Sequence, residues 1–158
     1  MPIYIIAGTI LFLIAVVIII SNLPNNNNNK NKTNSNMTTT TATTNSNETL
    51  EGGLIVKTIL KGTGEVSTVG KKITVNYTGK IPGVDKPFDS SIGKAPFSFT
   101  LGTNQVIQGW EMGLVNRTVG SKLELTIPSP LGYGERGFPP VIPQNATLVF
   151  DVEILSLS

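Results

Sequence analysis

The chain has 158 residues, a formal net charge of +2 at pH 7, and neither histidine nor cysteine. Those absences exclude His-based triads, Cys nucleophiles, thiolate or imidazole metal sites and disulfides. With charge so nearly balanced and no basic face in view, the sequence carries no electrostatic footprint for nucleic acid.

The chain begins with an apolar run, Ile3 to Ile20, that contains no charged residue. Its length reaches the lower end of what spans a bilayer as a helix. Its many β-branched residues are tolerated there, because a helix in lipid satisfies its own backbone groups. Residues 1–21 therefore read as an N-terminal transmembrane helix, which makes the protein a single-pass membrane protein. The alternative is a signal segment cleaved after Ser21, leaving a secreted or lumenal domain. A signal segment ordinarily opens on basic residues, and only Met1 and Pro2 precede this run. Lys30 and Lys32 follow it, and the positive-inside tendency would put the rest of the chain in the cytosol. The triplets starting at Asn31, Asn36 and Asn47 would accept glycans only in a lumenal orientation.

Residues 22–49 are dominated by Asn and Thr. Such a tract buries too little apolar area to offset chain entropy, so it reads as a disordered linker. As a flexible coil it would span on the order of 30 Å. We read it as a tether rather than as an adhesive element.

Residues 50–158 have the size of one small domain, and strands dominate them. Leu54 to Leu60 is apolar and β-branched. Ile73, Val75 and Tyr77 alternate on one face of Lys72 to Gly79. Phe97, Phe99 and Leu101 alternate likewise, as do Leu123, Leu125 and Ile127. In the last strand, Thr147 to Leu157, the side carrying Leu148, Phe150, Val152 and Ile154 is apolar, while Asp151 and Glu153 mark a wet face. One short helix is expected between Asn104 and Leu114, with Ile107, Trp110 and Leu114 on one face. Gly109 and Gly113 weaken it in isolation, so it needs a docking partner, and the half-apolar sheet supplies one. The expected fold class is α+β, an antiparallel β-sheet wrapped around one short α-helix. Two irregular segments remain, Lys80 to Ala95 and Ser129 to Asn145. The second is rich in Pro and Gly yet holds Leu131, Tyr133, Phe138, Val141 and Ile142, which suits a semi-rigid apolar flap.

With no activated nucleophile in sight, the functional asset is a set of aromatic rings, although rings on strand faces are often simply core. Five segments in order set this group apart: Val75-Asn76-Tyr77-Thr78-Gly79, Phe88-Asp89-Ser90-Ser91, Val106-Ile107-Gln108-Gly109-Trp110-Glu111, Tyr133-Gly134, and Ile142-Pro143 followed by Ala146-Thr147-Leu148-Val149-Phe150. Together they resemble the FKBP family of peptidyl-prolyl cis-trans isomerases, the tacrolimus- and rapamycin-binding immunophilins. The resemblance covers residues 50–158 and nothing before them.

That resemblance implies an isomerase of X–Pro bonds that assists protein folding and needs no cofactor or metal. Trp110 would form the floor under the substrate proline ring. Tyr77, Phe97, Val106, Ile107 and Phe150 would form the walls, with Phe88 at the border. Asp89 would sit at the rim near the twisting amide. The Tyr133 hydroxyl and the Ile107 N–H would donate to substrate carbonyls, and Phe138, Val141 and Ile142 would line the flap. The implied partners are proline-containing polypeptides and macrolides such as tacrolimus or rapamycin, bound by a monomer. A non-catalytic module that docks proline-containing partners in the same pocket is the rival reading. Asn76 and Gln108 depart from the family's usual His and Arg. Pro140 stands where the family often has Gly, and its fixed φ would stiffen the flap.

Overall fold

The structure, a computed structural model, describes residues 46–158. The expected membrane helix and the linker up to residue 45 lie outside the described residues. Among those described, no helix is long and apolar enough to cross a membrane.

The described residues form one antiparallel sheet of seven strands: β1 (Ser46–Thr49), β2 (Ile55–Leu60), β3 (Lys72–Lys80), β4 (Asp89–Ser90), β5 (Phe97–Thr100), β6 (Lys122–Ile127) and β7 (Leu148–Leu157). The spatial order runs β1-β2-β6-β7-β3, and both β4 and β5 pair with β3 along its free edge. One helix, α1 (Gln108–Gly113), lies against the sheet.

The alternation read from the sequence is what the sheet uses. Leu148, Phe150, Val152 and Ile154 are buried along β7, while Asp151 is exposed. Leu123, Leu125 and Ile127 do the same on β6, and Ile73 and Val75 on β3. A bulge interrupts the β3–β7 ladder: Thr74 faces Ser156, but Val75 faces Ile154. Leu155 is the residue skipped. The extra residue reverses the inward parity, so Ile154 points into the core above the bulge and Leu157 packs on it below.

Three elements differ from the sequence expectation. Ser46–Thr49, assigned to the disordered linker, forms β1, an edge strand paired in register with Ile55–Thr58 of β2. Composition hid it because all four residues are exposed. Its stabilisation comes from backbone hydrogen bonds and from an ion pair between Glu48 and Arg117, not from apolar burial. The segment Lys80 to Ala95 is not wholly irregular, since Asp89 and Ser90 form β4. The helix is shorter than expected, because Ile107 is extended (φ −60°, ψ 149°) and Asn104 is left-handed (φ 55°).

The buried face of α1 is made of Gly109, Trp110 and Gly113, with Leu114 following. The glycines that weaken this helix in isolation are what let it dock. A Cβ on Gly109 would lie 2.5 Å from Ile127 Cγ2, and one on Gly113 would lie 3.2 Å from Leu125 Cδ2. The helix backbone therefore rests almost directly on β6, and its one large side chain, Trp110, is set at a fixed height over the sheet.

Gly109→Ala is expected to destabilise the domain by about 1–3 kcal/mol, the usual range for overpacking a tight contact. Urea unfolding checks this: the midpoint should fall with little change in slope. An unchanged midpoint would mean that the helix can lift off β6 freely.

Candidate active site

The site forms where α1 meets the inner face of β3 and β7. Trp110 is 4% exposed. Its indole stands edge to face with Tyr77 and with Phe150, both at 5.2 Å between centroids, and with Phe97 at 6.1 Å. Phe88 meets Phe150 edge-on at 5.5 Å. Edge-to-face geometry is the favoured arrangement of aromatic quadrupoles, so the rings hold one another in place. Phe99, 3% exposed and 5.8 Å from Trp110, is core beneath the site.

The sheet register places these rings. On β3, Gly79 faces Asp89 of β4 on one side and Phe150 of β7 on the other. A Cβ on Gly79 would meet Phe88 Cζ at 2.6 Å and Phe150 Cε1 at 2.7 Å. The glycine thus leaves room for two rings to converge above the strand.

Asp89 is held by both oxygens. Oδ2 accepts the Tyr77 hydroxyl at 2.5 Å, and Oδ1 accepts the Ser90 backbone N–H at 2.8 Å. Lys94 Nζ stands 3.8 Å from Oδ1, although this lysine is mostly exposed and the pair is weakened by solvent. The serines after Asp89 bind the segment to β3. Ser91 Oγ accepts the Tyr77 N–H at 2.9 Å, Tyr77 O accepts the Ser91 N–H at 3.0 Å, and the Ser90 hydroxyl donates to the same carbonyl at 3.0 Å. The turn chemistry read in Asp89-Ser90-Ser91 is therefore a fastening that fixes where the carboxylate points.

Burial, and then the hydrogen bond to Asp89 and its negative charge, push the Tyr77 hydroxyl far above the usual phenol range. Burial and the charge of Asp89 also raise Tyr133. Both hydroxyls are therefore neutral donors at physiological pH. Tyr77 spends its proton on Asp89, whereas among the described residues the Tyr133 hydroxyl has no hydrogen-bond partner.

Tyr133 sits between two single-turn 3-10 segments, Ser129–Leu131 and Gly134–Arg136, and its ring lies 5.9 Å from Phe138. Phe138 and Ile142 close the flap by exchanging two backbone hydrogen bonds of 2.8 Å. Ile142 is 3% exposed and belongs to the core cluster, so it anchors the flap. Val141 is 44% exposed and stands at its tip. Val106 and Ile107 are partly buried against the same core, just ahead of α1.

The site residues expected from the sequence thus lie on neighbouring elements: Trp110, Val106 and Ile107 on and before α1, Tyr77 on β3, Phe88 and Asp89 at β4, Phe97 on β5, and Phe150 on β7. Sequence reading missed Lys94 and the close approach at Gly79. No spacing rule marks a lysine five residues beyond an aspartate as its partner. The two aromatics either side of Gly79 in space are far apart in sequence.

An aromatic cluster with a fixed carboxylate beside it and neutral hydroxyls, on an antiparallel sheet wrapped around one short helix, is the arrangement expected of a small peptidyl-prolyl isomerase domain. The family model that matches residues 64–155 is that of the FKBP-type peptidyl-prolyl cis-trans isomerase. FK506-binding protein 1 of Candida glabrata is 45% identical over 114 residues, covering 71% of this chain and 99% of that protein. FK506-binding protein 4 of Rhizopus delemar is 46% identical over 108 residues, covering 68% of this chain but only 28% of that longer protein. The crystal structure of FkpA from Escherichia coli superposes with a TM-score of 0.64 at 41% identity, over 71% of this chain and 51% of that one. The chain belongs to the FKBP-type peptidyl-prolyl cis-trans isomerase family.

The raised tyrosines make an alkaline prediction. Their contribution to stability is complete below about pH 10, where a phenol in the unfolded chain is also neutral. It is lost as pH rises toward the folded values, because the unfolded chain then releases protons that the folded one retains. The melting temperature of Tyr77→Phe should fall less steeply above pH 10 than that of the wild type. Equal slopes would show that Tyr77 ionises as readily folded as unfolded.

Proposed function

We propose that this domain catalyses rotation about X–Pro bonds in the pocket floored by Trp110, and that residues 1–21 tether it to a membrane, where it assists folding of proline-containing polypeptides. The observation that carries the reading is the triangle of Trp110, Tyr77 and Phe150, with the Asp89 carboxylate fixed beside them through Tyr77. The indole is the floor for a proline ring. Tyr77, Phe88, Phe97, Val106, Ile107 and Phe150 enclose it, and Phe138, Val141 and Ile142 form the flap.

The chemistry follows from amide resonance. Rotation must break partial double-bond character, at a barrier of roughly 18–20 kcal/mol. Twisting the amide reduces its charge separation, so an apolar pocket favours the twisted state over the planar one relative to water. Selective stabilisation of that state is what lowers the barrier. The Tyr133 hydroxyl and the Ile107 N–H donate to the carbonyls that flank the proline and hold the peptide while the bond turns. Asp89 lies at the rim, its charge beside the amide whose electron distribution changes. The rotation has no covalent step and so requires neither nucleophile nor metal. A macrolide such as tacrolimus or rapamycin that mimics a twisted prolyl amide fits the same pocket.

Isomerisation of a short X–Pro peptide, with and without rapamycin, tests the reading. Acceleration that rapamycin abolishes is expected. Trp110→Leu and Phe150→Ala should each weaken rapamycin binding at least tenfold, consistent with loss of a buried aromatic contact worth more than about 1.4 kcal/mol. Unchanged binding in both would remove the pocket assignment. Asp89→Ala should lower kcat/KM by more than its melting temperature suggests; full turnover with a lowered melting temperature would make Asp89 structural. Tight rapamycin binding without acceleration would favour a docking module.

A further inference from the structure

We propose that Glu48 and Arg117 are positioning residues for the pocket floor: strand β1 holds the C-terminal end of the Trp110 helix through Arg117. This inference rests on the pocket reading only for its activity arm.

The last carbonyls of a helix lack intrahelical partners, and a six-residue helix with two glycines has little intrinsic stability to spare. In α1 both relevant carbonyls are met by side chains. Arg117 Nε donates to Gly113 O at 3.0 Å. The Ser67 hydroxyl donates to Leu114 O at 2.5 Å and in turn accepts the Arg117 N–H at 2.9 Å. Ser67 is fully buried. By contrast, the start of the helix has no side-chain cap. The fastening is at the end that follows Trp110.

The side chain of Arg117 is 15% exposed, and Glu48 is its ion-pair partner among the described residues, with Oε2 2.8 Å from Nη2. With most of that side chain covered and Glu48 half exposed, the pair supplies Arg117 with a charge partner at the helix end. Without Glu48, Arg117 gains by swinging toward solvent and releasing Gly113 O. The strand carrying Glu48 contributes no apolar side chain to the core. Its placement in the sheet brings one carboxylate to the helix end. The chain that precedes the catalytic core is thus coupled to the indole through β1, Arg117 and the last turn of α1.

Trp110 is the only tryptophan in the chain, so its emission reports the pocket floor alone. The test compares full-length wild type with Glu48→Asp, Glu48→Gln and Glu48→Lys. It reads Trp110 emission, rapamycin Kd, and the KM and kcat of an X–Pro peptide. Because Glu48 lies on an exposed edge strand, these variants are expected to fold. Emission should shift progressively to the red from Asp to Gln to Lys. Rapamycin Kd and peptide KM should rise about threefold for Gln, the size expected of a partly exposed ion pair, with kcat nearly unchanged and Asp close to wild type. Arg117→Lys, which keeps the charge but not the fork geometry, should behave like Glu48→Gln. A lowered melting temperature with emission and Kd at wild-type values in every variant would overturn the proposal. Wild-type protein that neither binds rapamycin nor turns over peptide would overturn the functional reading instead, and the emission series would still decide the clamp.

Discussion

The site depends on the distance between α1 and β6. A helix of six residues cannot hold its shape in water, and its two glycines make matters worse. Those glycines allow the backbone to settle onto Ile127 and Leu125 at a separation that a Cβ on Gly109 would break and one on Gly113 would crowd. The contact costs helix propensity and gains close packing, which is the larger effect in a dry interior. It also sets the depth of Trp110. Tyr77, Phe97 and Phe150 are positioned by the sheet, so the ring cluster is set by how one helix sits on it.

The electrostatics follow from the same arrangement. A carboxylate near an apolar site is costly unless its oxygens are bonded. Asp89 receives a hydroxyl, a backbone N–H and a nearby lysine, all supplied by β3 and by the residues that follow it. Burial and the bond to Asp89 keep Tyr77 neutral, and among the described residues Tyr133 has no hydrogen-bond partner for its hydroxyl. A polar, organised carboxylate therefore stands beside an apolar cluster of rings. That contrast separates an aromatic core from an aromatic site, and the identity of the rings alone does not show it.

The strands that face the core were legible because burial on one face imposes alternation, and β7, β6 and β3 display it residue by residue. The helix was legible through Ile107, Trp110 and Leu114, but not its start. Ile107 is the N-cap, extended in backbone as N-caps are while its side chain still packs on the core, so the periodic signal runs past the true boundary. Strand β1 was illegible in principle: Ser46 to Thr49 bury nothing, and hydropathy reads a fully exposed edge strand as linker. Its pairing is carried by backbone groups, which have no sequence signature. Within the site, the rings and Asp89 were found through ordered motifs. The contact of Gly79 with Phe88 and Phe150, the fastening by Ser90 and Ser91, and the Lys94 approach required the register of β3, which no single segment encodes. Ile142 shows the same limit from the other side, since its place in the flap was visible but its role as the buried anchor was not.

A pocket for bond rotation must be stiff where it selects shape and open where it admits a chain. The two demands fall on different parts of this fold. Trp110 and Phe150 are buried, and the half-buried Tyr77, Phe88 and Phe97 are locked against them ring to ring. The mouth is built from the segment around β4 and from the flap, where the exposed Ile92 and Val141 stand on short loops closed by backbone hydrogen bonds. Local opening is least costly where few apolar contacts must be broken, and these loops hold fewer of them than the strands beneath Trp110. Pro140, beside Val141, narrows the conformations the flap can take. Ile142, buried at its base, ties this segment to the core.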